Sequence, residues 1–369
     1  MSTRTESYVR CLILALCTAG YVTCASAFVV FDAIQLPGKP DLRPYGLPPI
    51  SMLYGSVFWD SEDRTDLPDA AHLDKAGNYG AKLAMFAGND YVVIDIEHWD
   101  IHGDNDAEVK RNVDKYIDTI EGVRETAPNL QLGYYGNVPI RDYWSAIRSP
   151  DSYEYQKWQQ KNDKLQSLAD AADVIYPSVY AFYNKPERWE AYAIAMINEA
   201  RRLAPGKPVI AFLMPRYHNS TDVEGRPFVD RAYWRLQLDT AHKHADAIVI
   251  WTGHNPVWDN DAEWWDETIL FMAENDMLPE SIPAPTPSHD NESPANNADD
   301  TSQSSAPTPS SNPSPASEPQ ASPSTPSIPT AASATSESAE TASDDVNFGG
   351  SGSMNTGGGG GGGQSMGRP

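Results

Sequence analysis

A chain of 369 residues with a formal charge of −24 is long enough for one large core and too acidic to grip a nucleic acid by charge. Its three cysteines, Cys11, Cys17 and Cys24, all precede residue 28, so the rest of the chain has no disulfide, zinc-thiolate site or cysteine nucleophile. Stability must therefore come from a packed core.

Residues 1–27 read as a cleaved secretory signal. Arg4 and Arg10 supply the basic start, Cys11 to Cys24 is mostly apolar or small, and Ala25-Ser26-Ala27 is an A-x-A cleavage pattern. The apolar stretch is too short for a membrane span. Cleavage between Ala27 and Phe28 would give a secreted or periplasmic protein with no stable membrane insertion. A lipoprotein reading through Cys17 or Cys24 lacks the usual small residues ahead of the cysteine.

Phe28 to Ile34 reads as a first strand, and Gln35 to Pro49 as a proline-rich connection. Ser51 to Asp60 is a strand or loop with aromatic content, and Asp69 to Asn78 suits a short helix. Tyr91 to Trp99 starts as a strand covered on both faces and ends in charge. From Ala107 to Thr126, Val109, Val113, Ile117, Ile120 and Val123 fall at three- and four-residue steps, the pattern of an amphipathic helix. Leu130 to Gly136 is the next strand and turn, Arg141 to Asp170 is helical or irregular, and Ala172 to Tyr180 is a strand with a proline near its end. Glu187–Leu203 and Val229–His244 read as helices, with a strand at Pro208–Met214 between them. Ala247 to Trp251 is the last strand and Ala262 to Glu274 the last helix. From Ser281 the composition turns to Pro, Ser, Thr, Ala and Asn, then to an unbroken glycine run at Gly357–Gly363. Such a tail buries too little apolar area to offset its chain entropy and is expected to be a disordered spacer.

Strands and helices thus alternate at about 30 to 50 residues per unit, which implies a parallel sheet. Six or seven strands in about 250 residues fit a single-domain α/β fold, a (β/α) barrel of the TIM type, over residues 28–280. No glycine-rich nucleotide fingerprint follows any strand.

The chemistry converges on Asp95-Ile96-Glu97. Side chains alternate along a strand, so Asp95 and Glu97 project from one face at the strand end where parallel α/β folds place their pockets. Two neighbouring carboxylates do not both ionise cheaply, so one is expected to keep its proton to higher pH, and a protonated glutamic acid can protonate a leaving group. The plainer alternative is a pair that caps a helix or meets an arginine. Other strands end in aromatic groups with polar handles: Trp99, Tyr134 and Tyr135, Tyr176 and Tyr180, then Arg216, Tyr217 and His218, and finally Trp251. Ten Trp and eighteen Tyr against nine Phe tilt the composition the same way. Aromatic faces stack on sugar rings, and carboxylates and phenols bind hydroxyls.

These residues carry a resemblance. The run Asp95-Ile96-Glu97-His98-Trp99 resembles the D-W-E-x-W of the hyaluronidases, family 56 of the glycoside hydrolases. Gly133-Tyr134-Tyr135-Gly136 resembles that family's G-[FY]-Y-G turn, and Asn162-Asp163 an Asn-Asp stretch before its next strand. Ile175 to Tyr180 resembles its L-Y-P-S-[IV]-Y, while Pro208–Phe212 and Ile248–Trp251 are similar to its last strands. The order is the same, from about Asn78 to Met272. The resemblance implies a retaining, substrate-assisted hydrolase. In it Glu97 would be general acid and then base, and Asp95 would orient the 2-acetamido group of the substrate. Tyr135 and Tyr180 would hold that group and the distorted sugar, Trp251 would pack against it, and Trp99, Tyr176 and Arg216 would line the cleft. The substrate would be an N-acetylhexosamine polysaccharide of the hyaluronan or chondroitin type, cut by a monomer with no cofactor, no metal and no nucleic-acid partner. The bridging cysteines of the animal enzymes are absent, and Ile96 stands where the family has an aromatic. The acidic domain suits a polyanion poorly, although Arg141, Arg148, Arg216 and Arg226 could line a local basic cleft.

Three rival readings stand beside this one. The first is a barrel glycosidase on an uncharged or chitin-like polymer. The second is a metal site through His98 and His102, with Asp95, Asp100, Asp104 and Asp106 nearby. The third is a barrel that binds glycan without cleaving it.

Overall fold

The computed structural model of the protein describes residues 28–61, 63–218, 221, 223–225 and 228–282. The expected signal peptide, with its cysteines, and the expected tail beyond residue 282 lie outside the described residues.

The described part is an α/β fold with parallel strands. Two three-stranded parallel sheets run through it. One has the order β1-β6-β5, from β1 (Val29–Ala33), β6 (Ala247–Trp251) and β5 (Ile210–Leu213). The other has the order β2-β3-β4, from β2 (Ser51–Tyr54), β3 (Tyr91–Asp95) and β4 (Gln131–Tyr134). Single parallel bridges join their edges. Asp32 meets Pro49 between β1 and β2. Tyr135 meets Tyr176, Ile175 meets Val209 and Ser178 meets Phe212, so residues 175–178 run between β4 and β5. The apolar run Ala172–Tyr180 has the pattern of a strand yet makes only these bridges. Pro177 within it has no N–H to give to a ladder.

Helices follow the strands: α1 (Gly55–Phe58), α2 (Ala70–Ala87), α3 (Asp106–Thr126), α4 (Tyr143–Ala146), α5 (Tyr153–Asp163), α6 (Gln166–Ala171), α7 (Pro186–Leu203), α8 (Arg231–His244) and α9 (Glu263–Glu274). The amphipathic pattern of α3 is realised, with Val109, Val113, Ile120 and Val123 buried and Asn105 capping the Glu108 N–H. The second helix begins where expected, on an Asp69 cap, but runs past Asn78 to Ala87. Gly77 and Gly80 weaken an isolated helix. Here the packing against α3 outweighs that cost: a Cβ on Gly77 would lie 2.9 Å from the Val123 carbonyl oxygen.

Alternation along the strands sorts the core into two clusters. Val92, Ile94 and Ile96 join the helix-side cluster with Val113, Tyr116 and Ile120. Val93 joins a second cluster with Phe31, Val174, Tyr176, Ile210, Phe212 and Val249, drawn from the strands and the segments beside them. This inner face is the one Asp95 and Glu97 continue. Gly133 is required on it, because a Cβ there would lie 2.1 Å from the Val174 carbonyl oxygen and 2.9 Å from the Tyr176 ring. Among the described residues no helix is long and apolar enough to cross a membrane.

Candidate active site

Four inner-face positions at the carboxyl ends of the strands build the site. Tyr54 ends β2 and is the register partner of Asp95, which ends β3. Glu97 follows two residues on, and Ile96 between them is 1% exposed on the helix side. The spacing therefore does what alternation requires: the apolar residue anchors the backbone outward and both acids face inward. Asn137 donates to the Ile96 carbonyl at 3.2 Å and fixes the peptide between them. Trp251 ends β6, beside Ala33.

Glu97 stands at the mouth, its side chain 35% exposed, and accepts a hydrogen bond from Arg141 Nη2 at 3.0 Å. Asp95 lies beneath. Burial, and then the charge of Glu97, push its carboxyl up to about 7, with Arg141 opposing. Of the two acids, Asp95 is the one whose hold on its proton the surroundings strengthen. Reasoning from sequence had Glu97 as the weakly acidic partner; the buried position falls to Asp95 instead, because the chain is leaving the core as it passes residue 97.

An aromatic wall faces the acids. The Tyr135 and Tyr180 rings are 5.8 Å apart, and Tyr180 stacks on Trp251 at 6.0 Å with 20° between planes. Tyr135 shares a hydrogen bond with Ser178 at 3.0 Å, and the Arg141 guanidinium lies 6.0 Å from its ring centre. Burial pushes the Tyr135 phenol up to about 12 and the Tyr180 phenol well above its ordinary value, so both are neutral donors at physiological pH. His218 tilts against Tyr180 at 5.9 Å.

The structure thus brings Asp95, Glu97, Tyr135, Tyr180 and Trp251 together. It does not bring the other three. Trp99 is 4% exposed and belongs to the helix side: its indole N–H donates to the Arg64 carbonyl at 2.9 Å, and its ring meets Tyr116 at 4.9 Å and Trp59 at 5.6 Å. It ties the loop after Glu97 to α3 and has no face left for a sugar. Tyr176 is fully buried against Phe212 and Gly133, a turn of chain below the site, with its hydroxyl unpartnered. Arg216 donates to the Asn255 carbonyl at 2.5 Å and lies over Phe228 at 5.3 Å, so it fastens the loop after β6. Tyr134, expected beside Tyr135, faces the helices and donates to the Tyr116 carbonyl at 2.8 Å. Arg148 is exposed after α4, and Arg226 lies outside the described residues.

Sequence reasoning missed Tyr54 and Gln35, and assigned Arg141 to a polyanion rather than to Glu97. Tyr54 was within reach: it closes the alternation begun by Met52 on the strand next to the acids. Neither His98, which packs edge-on to Trp59 and Trp99, nor any other group of three or more His, Cys, Asp or Glu among the described residues is arranged to hold a metal ion.

No protein-family model matches the chain, and no curated protein matches it. Solved structures similar to it include bee venom hyaluronidase, at 17% identity over 68% of this chain and 97% of that one, with a TM-score of 0.47. A family 18 chitinase from Pseudoalteromonas aurantia overlaps at 14% identity over 56% and 69%, with a TM-score of 0.33. An endo-beta-1,4-mannanase from Cellulomonas fimi overlaps at 13% over 68% and 71%, with a TM-score of 0.38. At overlaps of this size the functional reading rests on the side chains above.

Proposed function

We propose that this protein is a retaining glycoside hydrolase that cleaves an N-acetylhexosamine-containing polysaccharide by substrate-assisted catalysis. The observation that carries the reading is the Asp95–Glu97 pair on one inner strand face, Asp95 half-buried and desolvated and Glu97 at the mouth, opposite the Tyr135, Tyr180 and Trp251 rings, of which the last two stack. The strand bridges support a closed seven-stranded barrel, with residues 175–178 as the seventh member between β4 and β5. The acids would then sit at its carboxyl-terminal mouth.

Substrate assistance needs one enzyme acid and one carboxylate to accept the acetamido N–H, whose carbonyl oxygen attacks the anomeric carbon. Burial and then the charge of Glu97 raise the Asp95 carboxyl to about 7, so a proton is at hand at the pair near neutrality. An N–H donor delivered to Asp95 favours its ionised form, and the proton then belongs on Glu97, nearest the glycosidic oxygen. Glu97 gives that proton to the leaving group as the carbonyl oxygen closes on the anomeric carbon. It then takes a proton from the water that opens the oxazolinium ring, so configuration is retained. Tyr135 and Tyr180 donate to the acetamido group, and Trp251 packs on its methyl. The protein acts as a secreted or periplasmic monomer with no cofactor.

The test is product mass spectrometry across a panel of hyaluronan, chondroitin, chitin oligomers and an acetamido-free polymer, with Glu97→Gln as control. Fragments ending in N-acetylhexosamine, absent with the variant, are the expected result. Cleavage of acetamido-free polymer alone would replace substrate assistance with another glycosidase mechanism. Binding without cleavage would leave a glycan-binding barrel.

A further inference from the structure

The two halves of the site stand on different sheets. Asp95 belongs to β2-β3-β4, and Trp251 to β1-β6-β5. Their separation therefore depends on how the sheets are joined, and the β1/β2 seam is thin. Its backbone link is the Asp32–Pro49 bridge, with Asp32 N–H donating to Pro48 at 2.9 Å and Ile50 N–H to Asp32 at 3.1 Å. Pro48 and Pro49 have no N–H to extend it. The bridge also lies at the start of β2, below the level of the acids.

At the level of the acids the seam is closed by side chains. Gln35 Nε2, from the loop after β1, donates to the Tyr54 hydroxyl. The Trp251 side chain lies against the same hydroxyl, near enough to lower its pKa against the effect of burial. The Gln35 backbone N–H donates at 3.0 Å to Oγ1 of Thr252, a fully buried residue directly after Trp251. Tyr54 is in turn the register partner of Asp95. Burial pushes the Tyr54 phenol up to about 12, so the linkage keeps one protonation state throughout the neutral range.

We propose that Gln35 and Tyr54 are positioning residues that clamp the two sheets together and set the Trp251 ring relative to the acid pair. The functional consequence rests on the reading of Asp95, Glu97 and Trp251 as one sugar site; the clamp itself does not. An apolar contact across the same seam would hold the sheets without fixing the indole plane. Gln35 makes directed bonds to both sides, to the Tyr54 hydroxyl and to Thr252 next to Trp251, and so fixes both.

The experiment compares wild type, Gln35→Leu, Tyr54→Phe and the double variant. In ligand-free protein, amide hydrogen exchange at residues 34–36, 51–55 and 250–253 should rise about tenfold in either single variant while β5 is unchanged. On the polymer that wild type cleaves, KM should rise about tenfold with kcat within about threefold of wild type. The double variant should be no worse than the worse single, as expected for two members of one linkage. Unchanged exchange at the seam in both singles, or additive effects on KM, overturns the clamp. If wild type cleaves and binds no glycan, the glycosidase reading falls, and the exchange data alone decide whether the clamp exists.

Discussion

The Arg141 guanidinium meets the Glu97 carboxylate at 3.0 Å across 44 residues of sequence. Glu97 is thereby held toward Tyr135, and a positive charge is set where it opposes the raised carboxyl of Asp95. Replacing Arg141 with Met removes the charge that opposes the upward shift of Asp95. The basic limb of the pH–rate profile should then move to higher pH, with kcat reduced. An unmoved limb in a folded variant would show that Arg141 has no part in the titration.

Glu97→Gln should lower kcat by about two to four orders of magnitude, the usual worth of a positioned acid–base group. Glu97 is at the mouth and makes one ion pair, so circular dichroism and the melting temperature should stay close to wild type. Appreciable turnover by this variant would remove Glu97 from the mechanism.

Asp95→Asn should cost less than the loss of Glu97 and should fall hardest on substrates bearing the acetamido group. The paired measurement is kcat/KM on a polymer and on its deacetylated form. Equal cleavage of both by wild type would mean that the substrate supplies no nucleophile.

The same residue ties stability to pH. Folded, Asp95 keeps its proton to about pH 7; unfolded, only to about pH 4. Between those values the native state holds a proton the unfolded chain lacks. This contribution is fully present below pH 4 and is lost as pH rises through 7, at up to about 1.4 kcal/mol per unit. Thermal melts should show Asp95→Asn more stable than wild type at pH 8, with the gap closing toward pH 4. Parallel pH slopes for the two proteins would contradict the burial of Asp95.

Gly133→Ala should destabilise the protein by at least about 2 kcal/mol, the order of an overpacked core. The new methyl meets the Val174 backbone, which cannot swing aside as a side chain would. A melt within a degree of wild type would show that the segment after α6 has room to retreat from β4.

Local pattern by itself determined a good deal of this protein. The steps of Val109, Val113, Ile120 and Val123 gave α3, and Ala247–Trp251 emerged as β6 with the same bounds. The alternation through Val93, Asp95 and Glu97 put two acids on one face at a strand end. These are near-neighbour properties, set by residues two to four apart, and such spacings survive in any tertiary context. Tertiary structure decided what depends on depth and on distant partners. It gave the raised pKa to Asp95, because burial is a matter of which side of the rim a residue stands on. It sent Trp99 and Tyr134 to the helices and sank Tyr176 below the site, because an aromatic at a strand end has two faces and two levels to choose between. It brought Arg141 to Glu97, and Gln35 and Tyr54 to Trp251, because those contacts join separate strands and loops, and only the closing of one sheet against another brings such residues within hydrogen-bonding reach.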